Sequence, residues 1–273
     1  MKQRINRYFS PVVIVSIVLV TMISAACLLA PVLAPADPNF VDPMSKFSGS
    51  SLEHPMGTDY LGRDIFSRIL WGGRATLGYS LIVTVLASGI GTVIGMVSGA
   101  TGGIFDEVLM KSSDVLRAFP GVVLVLIIVS ILGAGIGNVC LAMLITRWIW
   151  YARVARNLTK EELARTSVAA SRLAGSSWAK ILRRNVFASI VPQMLSVISI
   201  DFGSTLLAIS GYSFLGFGIL PPNPEWGMMI NDGRNYMNHP EMMFWPGICV
   251  MTVVICTNII GDKLRDTLEE KRN

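Results

Sequence analysis

Six apolar stretches, at residues 11–34, 75–100, 121–132, 139–154, 190–213 and 244–260, constrain this chain more than any other feature. A bilayer core needs about 20 apolar residues per spanning helix, and several of these runs reach or exceed that length. They recur with charged, glycine-rich or proline-containing sequence between them. With 52% of its 273 residues hydrophobic and only 15% charged, the chain is too apolar for one soluble core of this size. The expectation is an all-α polytopic membrane protein with six transmembrane helices.

The basic residues orient it. With the N-terminus inside, cytoplasmic segments receive Lys2, Arg4, Arg7, Lys111, Arg117, Arg153, Arg156, Lys160, Arg165, Arg172, Lys180, Arg183, Arg184, Lys263, Arg265, Lys271 and Arg272. External segments receive only Lys46, Arg63, Arg68, Arg74 and Arg234. This bias puts both termini in the cytoplasm. It also accounts for the net charge of +5 without a nucleic-acid partner. Ser24-Ala25-Ala26-Cys27 has the look of a processing site, but apolar sequence continues past Cys27, so the first span is expected to stay uncleaved. Cys27, Cys140, Cys249 and Cys256 all lie in apolar runs without metal-ligand or redox spacing, as small core residues do.

Five further features carry information. Residues 1–74 comprise the first span and an external segment ending in Met56-Gly57-Thr58-Asp59-Tyr60-Leu61-Gly62-Arg63-Asp64-Ile65-Phe66-Ser67-Arg68. There Asp64 can cap an interfacial helix that is expected to stop at Trp71, Gly72 and Gly73. In the second span Gly91, Gly95 and Gly99 form two successive GxxxG units, a surface on which another helix can pack closely. Asp201 lies near the middle of the fifth span, where an ionisable group is costly unless it meets water or a partner. Ser204 and Thr205 extend its polar character toward Phe214, so the residues form a candidate pathway, with an interhelical hydrogen bond as the structural alternative. Met228 and Met229, with Met237, His239, Met242 and Met243, gather soft groups near the outer face, suited to weak metal transfer or to flexible packing. His54 and His239 lack further ligands at metal spacing, so no metal site is expected.

The fifth feature is the basic loop at about 157–188, set in a five-helix core of residues 75–264 and followed by a tail at 265–273. Thr159 and Glu162 have the spacing of a capping box, predicting a helix that runs to Ala174. Gly175 supplies a stop, and Ser176 or Ser177 can cap a second helix carrying Trp178, Ile181 and Leu182. Such a loop is either a solvated basic segment or a docking surface. No GxxxxGK[ST] phosphate loop occurs, so the chain itself cannot hold ATP in that manner, and nothing reads as a catalytic site.

Here the residues reach a resemblance. Ala169-Ala170-Ser171-Arg172-Leu173-Ala174-Gly175 resembles the "EAA" loop of ABC-importer permeases of the nickel and di- or oligopeptide family, with Ala169 in place of the leading glutamate. The usual Leu-Pro after the glycine is Phe187-Ala188 or displaced to Val191-Pro192. The string GTDYLGRDIFSR followed by GGRATLGYS, at residues 57–68 and 72–80, also resembles that family. So do Asp106, Met110, Asp114 and Ala118-Phe119-Pro120, the SFLGFG at 213–218, and Gly261-Asp262-Lys263-Leu264-Arg265-Asp266. The carboxylate of many peptide-carrying relatives is absent, with Ala208 and Ile209 at its place. Residues 150–153, 225–232 and 242–247 look more like the nickel branch.

The resemblance implies a type I ABC-importer permease fold in a bacterial plasma membrane. It implies a second homologous permease as partner, two cytoplasmic ATPase subunits that use ATP and Mg, and an extracytoplasmic solute-binding protein. Ala169, Ala170, Ser171, Arg172, Gly175 and Trp178 would couple to the ATPase. The chain would be a non-catalytic subunit that binds no cofactor of its own. It would pass nickel or a nickel chelate, with di- or oligopeptides as the alternative cargo. From another class, an ion-driven secondary transporter or channel would also explain the spans and Asp201, but not the Gly175 loop.

Overall fold

In a computed structural model that describes residues 10–272, helices account for almost all regular structure. Lys2, Arg4 and Arg7 lie outside the described residues, as do the side chains of Lys271 and Arg272. Helix α1 (Pro11–Leu28) and the short α2 (Ala30–Leu33) lead into an extended segment that ends where Asp64 accepts a hydrogen bond from Ser67 N at 2.7 Å. That cap starts α3 (Ile65–Thr101), a single helix of 37 residues.

The continuity of α3 overturns the expected helix stop at Trp71, Gly72 and Gly73. Gly72 and Gly73 interrupt nothing; their missing side chains make room for a neighbour. A Cβ at Gly73 would lie 2.4 Å from the Trp226 ring, and one at Gly72 would lie 3.3 Å from the Glu225 backbone. Trp226 is fully buried there, and its Nε1 donates to Ile69 O at 2.9 Å.

After α3 the chain turns at Gly102 into α4 (Gly103–Arg117), then bends by 86° into α5 (Gly121–Leu132). At 1.5 Å per residue, α5 is only about 18 Å long, short of a hydrocarbon core about 30 Å thick. Helix α6 (Ile136–Leu163) returns along α3, the two sharing the longest seam in the fold. Gly91, Gly95 and Gly99 lie in that seam. A Cβ at Gly95 would come within 2.1 Å of Ala152 O, and one at Gly91 within 2.3 Å of Trp148 O. On the other side of α3, Ile82, Val85, Ile90 and Val93 are exposed, as lipid-facing residues are.

Helix α7 (Thr166–Leu173) is followed by α8 (Trp178–Ile181), which passes through a π-helical segment (Leu182–Phe187) into α9 (Ala188–Phe214). Residues 178–214 therefore form one rod rather than a separate loop helix and span. A short α10 (Trp226–Gly233) wedges between α3, α9 and α11 (Glu241–Arg272). Cys27, Ile65, Leu206, Trp226, Met229, Met242 and Val253 make a core there. A second core joins Val83, Val125, Val129, Val139 and Met143.

Among the described residues, four helices are long and apolar enough to cross a membrane, or five with the bent α4–α5 pair taken as one span. Helix α6 does not reach that composition. Arg147, Arg153 and Arg156 lie along it.

Candidate translocation and coupling sites

The basic loop is built by a helix stop. Gly175, at φ +75°, lets its N–H reach Arg172 O at 2.9 Å and Ser176 N reach Ser171 O at 3.1 Å. Together these bonds are the Schellman pattern, which closes the last carbonyls of α7. The chain then doubles back, bringing the Arg172 guanidinium 4.3 Å from the centre of the Trp178 ring. Val168 and Ile181 are buried anchors, whereas Ala169, Ala170, Arg172, Leu173 and Trp178 face out. Leu173, 91% exposed, is the tip.

The start of the loop differs from the capping box expected at Thr159 and Glu162. Both residues belong to α6, where Thr159 Oγ1 donates to Ala155 O at 2.7 Å. The same Thr-x-x-Glu spacing occurs inside a helix when packing carries the helix onward. Glu162 instead accepts from Ser189 Oγ at 2.7 Å and pairs with Arg165 at 3.2 Å, tying α6 to α9 below the loop. Ser177 precedes α8 without a side-chain cap bond.

Behind the loop, Asp201 of α9 meets α6. Its Oδ1 accepts from Arg147 Nη2, and Ser204 Oγ stands 2.8 Å away; Oδ2 accepts from the Tyr151 hydroxyl and, at 3.4 Å, from Thr205. Thr205 is fully buried. Asp201 and Ser204 line a cavity of about 680 Å³ that also reaches Trp150, Val154, Pro192 and Arg165. Asp201 thus makes the interhelical hydrogen bonds expected of a structural role and also lines a cavity. Arg147 was not singled out by sequence as its partner. The available signal was physical: two opposite charges in apolar runs, 54 positions apart, each costly alone.

At the C-terminal end of α9, Phe214 lies under Arg234, 5.6 Å from its guanidinium. The methionines divide rather than gather. Met229 and Met242 are core residues, Met228 is half-buried, and Met237 is 72% exposed. His239 stacks on Phe47 with ring centres 4.0 Å apart, and its Nδ1 lies 3.2 Å from Glu241. His54 meets Asp64 at 3.0 Å. Among the described residues, no three His, Cys, Asp or Glu side chains gather as around a metal ion.

The 57–68 motif is tied within its own segment and to the segment after α9, where Arg68 Nη1 reaches Pro222 O at 3.4 Å and Arg63 pairs with Asp232 at 3.7 Å. Asp59 accepts from Leu61 N, Arg63 N and Arg63 Nε, while Arg68 Nη1 donates to Pro38 O at 2.9 Å. Glu225, fully buried, caps α10 by accepting from Met228 N at 3.0 Å and meets Thr76 Oγ1 at 2.8 Å. Burial raises its pKa above the ordinary glutamate range, partly offset by those hydrogen bonds.

A helical membrane protein whose exposed helix–glycine–helix loop hangs below a polar, cavity-lining span has the form of a permease subunit of an ABC importer. Residues 91–270 match the family described as "Binding-protein-dependent transport system inner membrane component", and the chain belongs to that family. It is 36% identical to the nickel transport system permease protein NikC of Escherichia coli (strain K12), over 93% of this chain and 92% of that protein. It is 34% identical to the metal-staphylopine import system permease protein CntC of Staphylococcus aureus (strain NCTC 8325 / PS 47), over 89% of this chain and 85% of that one. With the probable D,D-dipeptide transport system permease protein DdpC of Escherichia coli (strain K12) it shares 32% identity, over 96% and 88%. A chain of the inward-facing MetNI methionine ABC transporter has the same fold, with a TM-score of 0.53 at 17% identity, over 73% of this chain and 97% of that one.

Proposed function

We propose that this permease imports nickel, free or chelated, across a bacterial plasma membrane. The observation that carries the substrate is the near full-length similarity to NikC. Similarity to the metal-staphylopine permease supports a chelated form. Di- or oligopeptide import is the second reading, supported by the similarity to DdpC. An ion-driven carrier or channel would need an ion site in this chain and gives no role to the Gly175 loop.

The chain works beside a second homologous permease, over two ATPase subunits that bind ATP and Mg, and beneath an extracytoplasmic solute-binding protein. It crosses the membrane six times with both termini cytoplasmic, α4 with α5 making the third crossing and α6 the fourth. The face carrying Ala169, Ala170, Ser171, Arg172 and Trp178 couples to the ATPase, with Gly175 shaping it. Hydrolysis there shifts the balance between inward- and outward-open packings of the spans. Asp201 and Ser204 line the pathway, with Thr205 behind them. Phe214, Met228 and Met229 lie toward its outer end.

The test is uptake of radioactive nickel, with and without chelators and competing dipeptides, in cells lacking only this chain. Loss of nickel uptake that dipeptides do not affect supports the metal reading. Intact nickel uptake with lost peptide uptake replaces it by the peptide reading.

A further inference from the structure

We propose that Arg147 is a carboxylate receptor on the pathway, held in place by Asp201, so that the species passing this subunit carries a carboxylate. The inference rests on the import function above and narrows its cargo.

The hydrogen bonding around the pair is asymmetric. A carboxylate offers about four acceptor positions. Asp201 has four groups around its two oxygens: the Arg147 guanidinium, the Tyr151 and Thr205 hydroxyls, and the Ser204 hydroxyl. It has nothing left with which to hold a cation. Arg147 is different. Both of its hydrogen bonds, to Asp201 and to Ser204 Oγ at 2.8 Å, leave from Nη2. Among the described residues, no acceptor meets its Nε or Nη1. Its side chain is 24% exposed and bonded to two residues, Asp201 and Ser204, that line the cavity, although Arg147 itself is not part of the cavity wall. A guanidinium carries five N–H donors in a planar fork shaped for carboxylates. Within a membrane, part-exposed donors left open are costly unless water or an anionic ligand fills them.

A bare divalent cation gains nothing at this position. It would meet a carboxylate whose acceptor positions are already taken, paired with a guanidinium, and no cluster of metal-ligating side chains occurs among the described residues. A carboxylate from a metal chelator or from a peptide C-terminus fits the open donors. Both sources share that chemistry, and the cargo arms below separate them.

The experiment uses the complete importer, with its partner permease, ATPases and binding protein, in proteoliposomes. Four cargoes are compared: nickel nitrilotriacetate, nickel with the carboxylate-free chelator triethylenetetramine, dialanine and dialanine amide. Each is measured with wild type, Arg147→Lys, Arg147→Gln and the double variant Arg147→Gln/Asp201→Asn, which leaves no orphan charge to impair folding. Rates are normalised to permease abundance.

The expected result is that wild type favours a carboxylate-bearing cargo, nickel nitrilotriacetate or dialanine. The double variant lowers that transport about tenfold, Arg147→Lys keeps part of it, and any transport of the carboxylate-free counterpart changes less than twofold. Preference of wild type for carboxylate-free nickel or for the amide overturns the inference while import stands. So does an unchanged rate in the double variant, or an equal loss for both members of a cargo pair. If wild type carries none of the four, the nickel and peptide readings fall first and take this inference with them.

Discussion

At the residue scale, the Arg147–Asp201 pair shows why single charges inside a bilayer must be read together. Removing one partner of a fully buried pair leaves the other uncompensated, at a cost of about 3–5 kcal/mol and less for a part-exposed pair such as this one, whereas removing both is far milder. Asp201→Asn should therefore reduce membrane abundance as well as transport. Adding Arg147→Gln should restore the abundance but not the transport. Quantitative immunoblotting beside uptake checks this, and a double variant no more abundant than Asp201→Asn would show that the charges do not act as a pair. Glu225 offers a second test, outside the spans. Its raised pKa means that the neutral carboxyl is favoured in the folded state. Its contribution to stability is then full below the unfolded glutamate value, near 4.3, and is lost as pH rises through the folded value. Glutamine can still accept from Met228 N and reach Thr76 but carries no charge. Glu225→Gln should thus gain thermal stability relative to wild type between pH 5 and pH 8. A melting-temperature difference that stays flat across that range would mean burial exerts no such effect.

Among the elements, sequence was most legible where one residue acts on its own neighbours. Asp64 caps α3 and Gly175 ends α7 as local rules require, since each needs only the next few backbone groups. It was least legible where a distant segment decides. Gly72 and Gly73 look like a helix end until Trp226, more than 150 positions away, fills the space they leave. Thr159 and Glu162 look like a helix start until α6 proves to run through them. The loop itself makes an element-scale prediction. Gly175 has open space around its α-carbon but a left-handed φ of +75°. Gly175→Val should then cost about 1–2 kcal/mol locally through backbone strain, without a clash. It should displace Trp178 from Arg172 and lower transport-coupled ATP hydrolysis severalfold, with the permease still in the membrane. Arg172→Glu should do the same by reversing the charge of the exposed face. Full coupled hydrolysis in both variants would remove the docking role from this loop.

For the whole molecule, the open quantity is the number of crossings, and it turns on α5. A 12-residue helix set at 86° to its predecessor can complete a span begun by α4, or it can enter the membrane and return as a re-entrant loop with α6. The charges favour a crossing. Asp106 at the start of α4 is held by Arg156 and Lys160 near the far end of α6, and Asp114 by Arg153, so α4 and the C-terminal half of α6 share one polar side. A crossing would put the α5–α6 turn a helix length away, on the other side. Single cysteines placed in a cysteine-free background can locate these points with a membrane-impermeant thiol reagent. Met44, Ala134 and Met237, all exposed, should be labelled from outside, and Lys111 and Leu173 only after the membrane is opened. If Ala134 behaves like Leu173 instead, α5 and α6 do not cross, the chain spans the membrane four times, and the pathway beside Arg147 is reached from the cytoplasm alone.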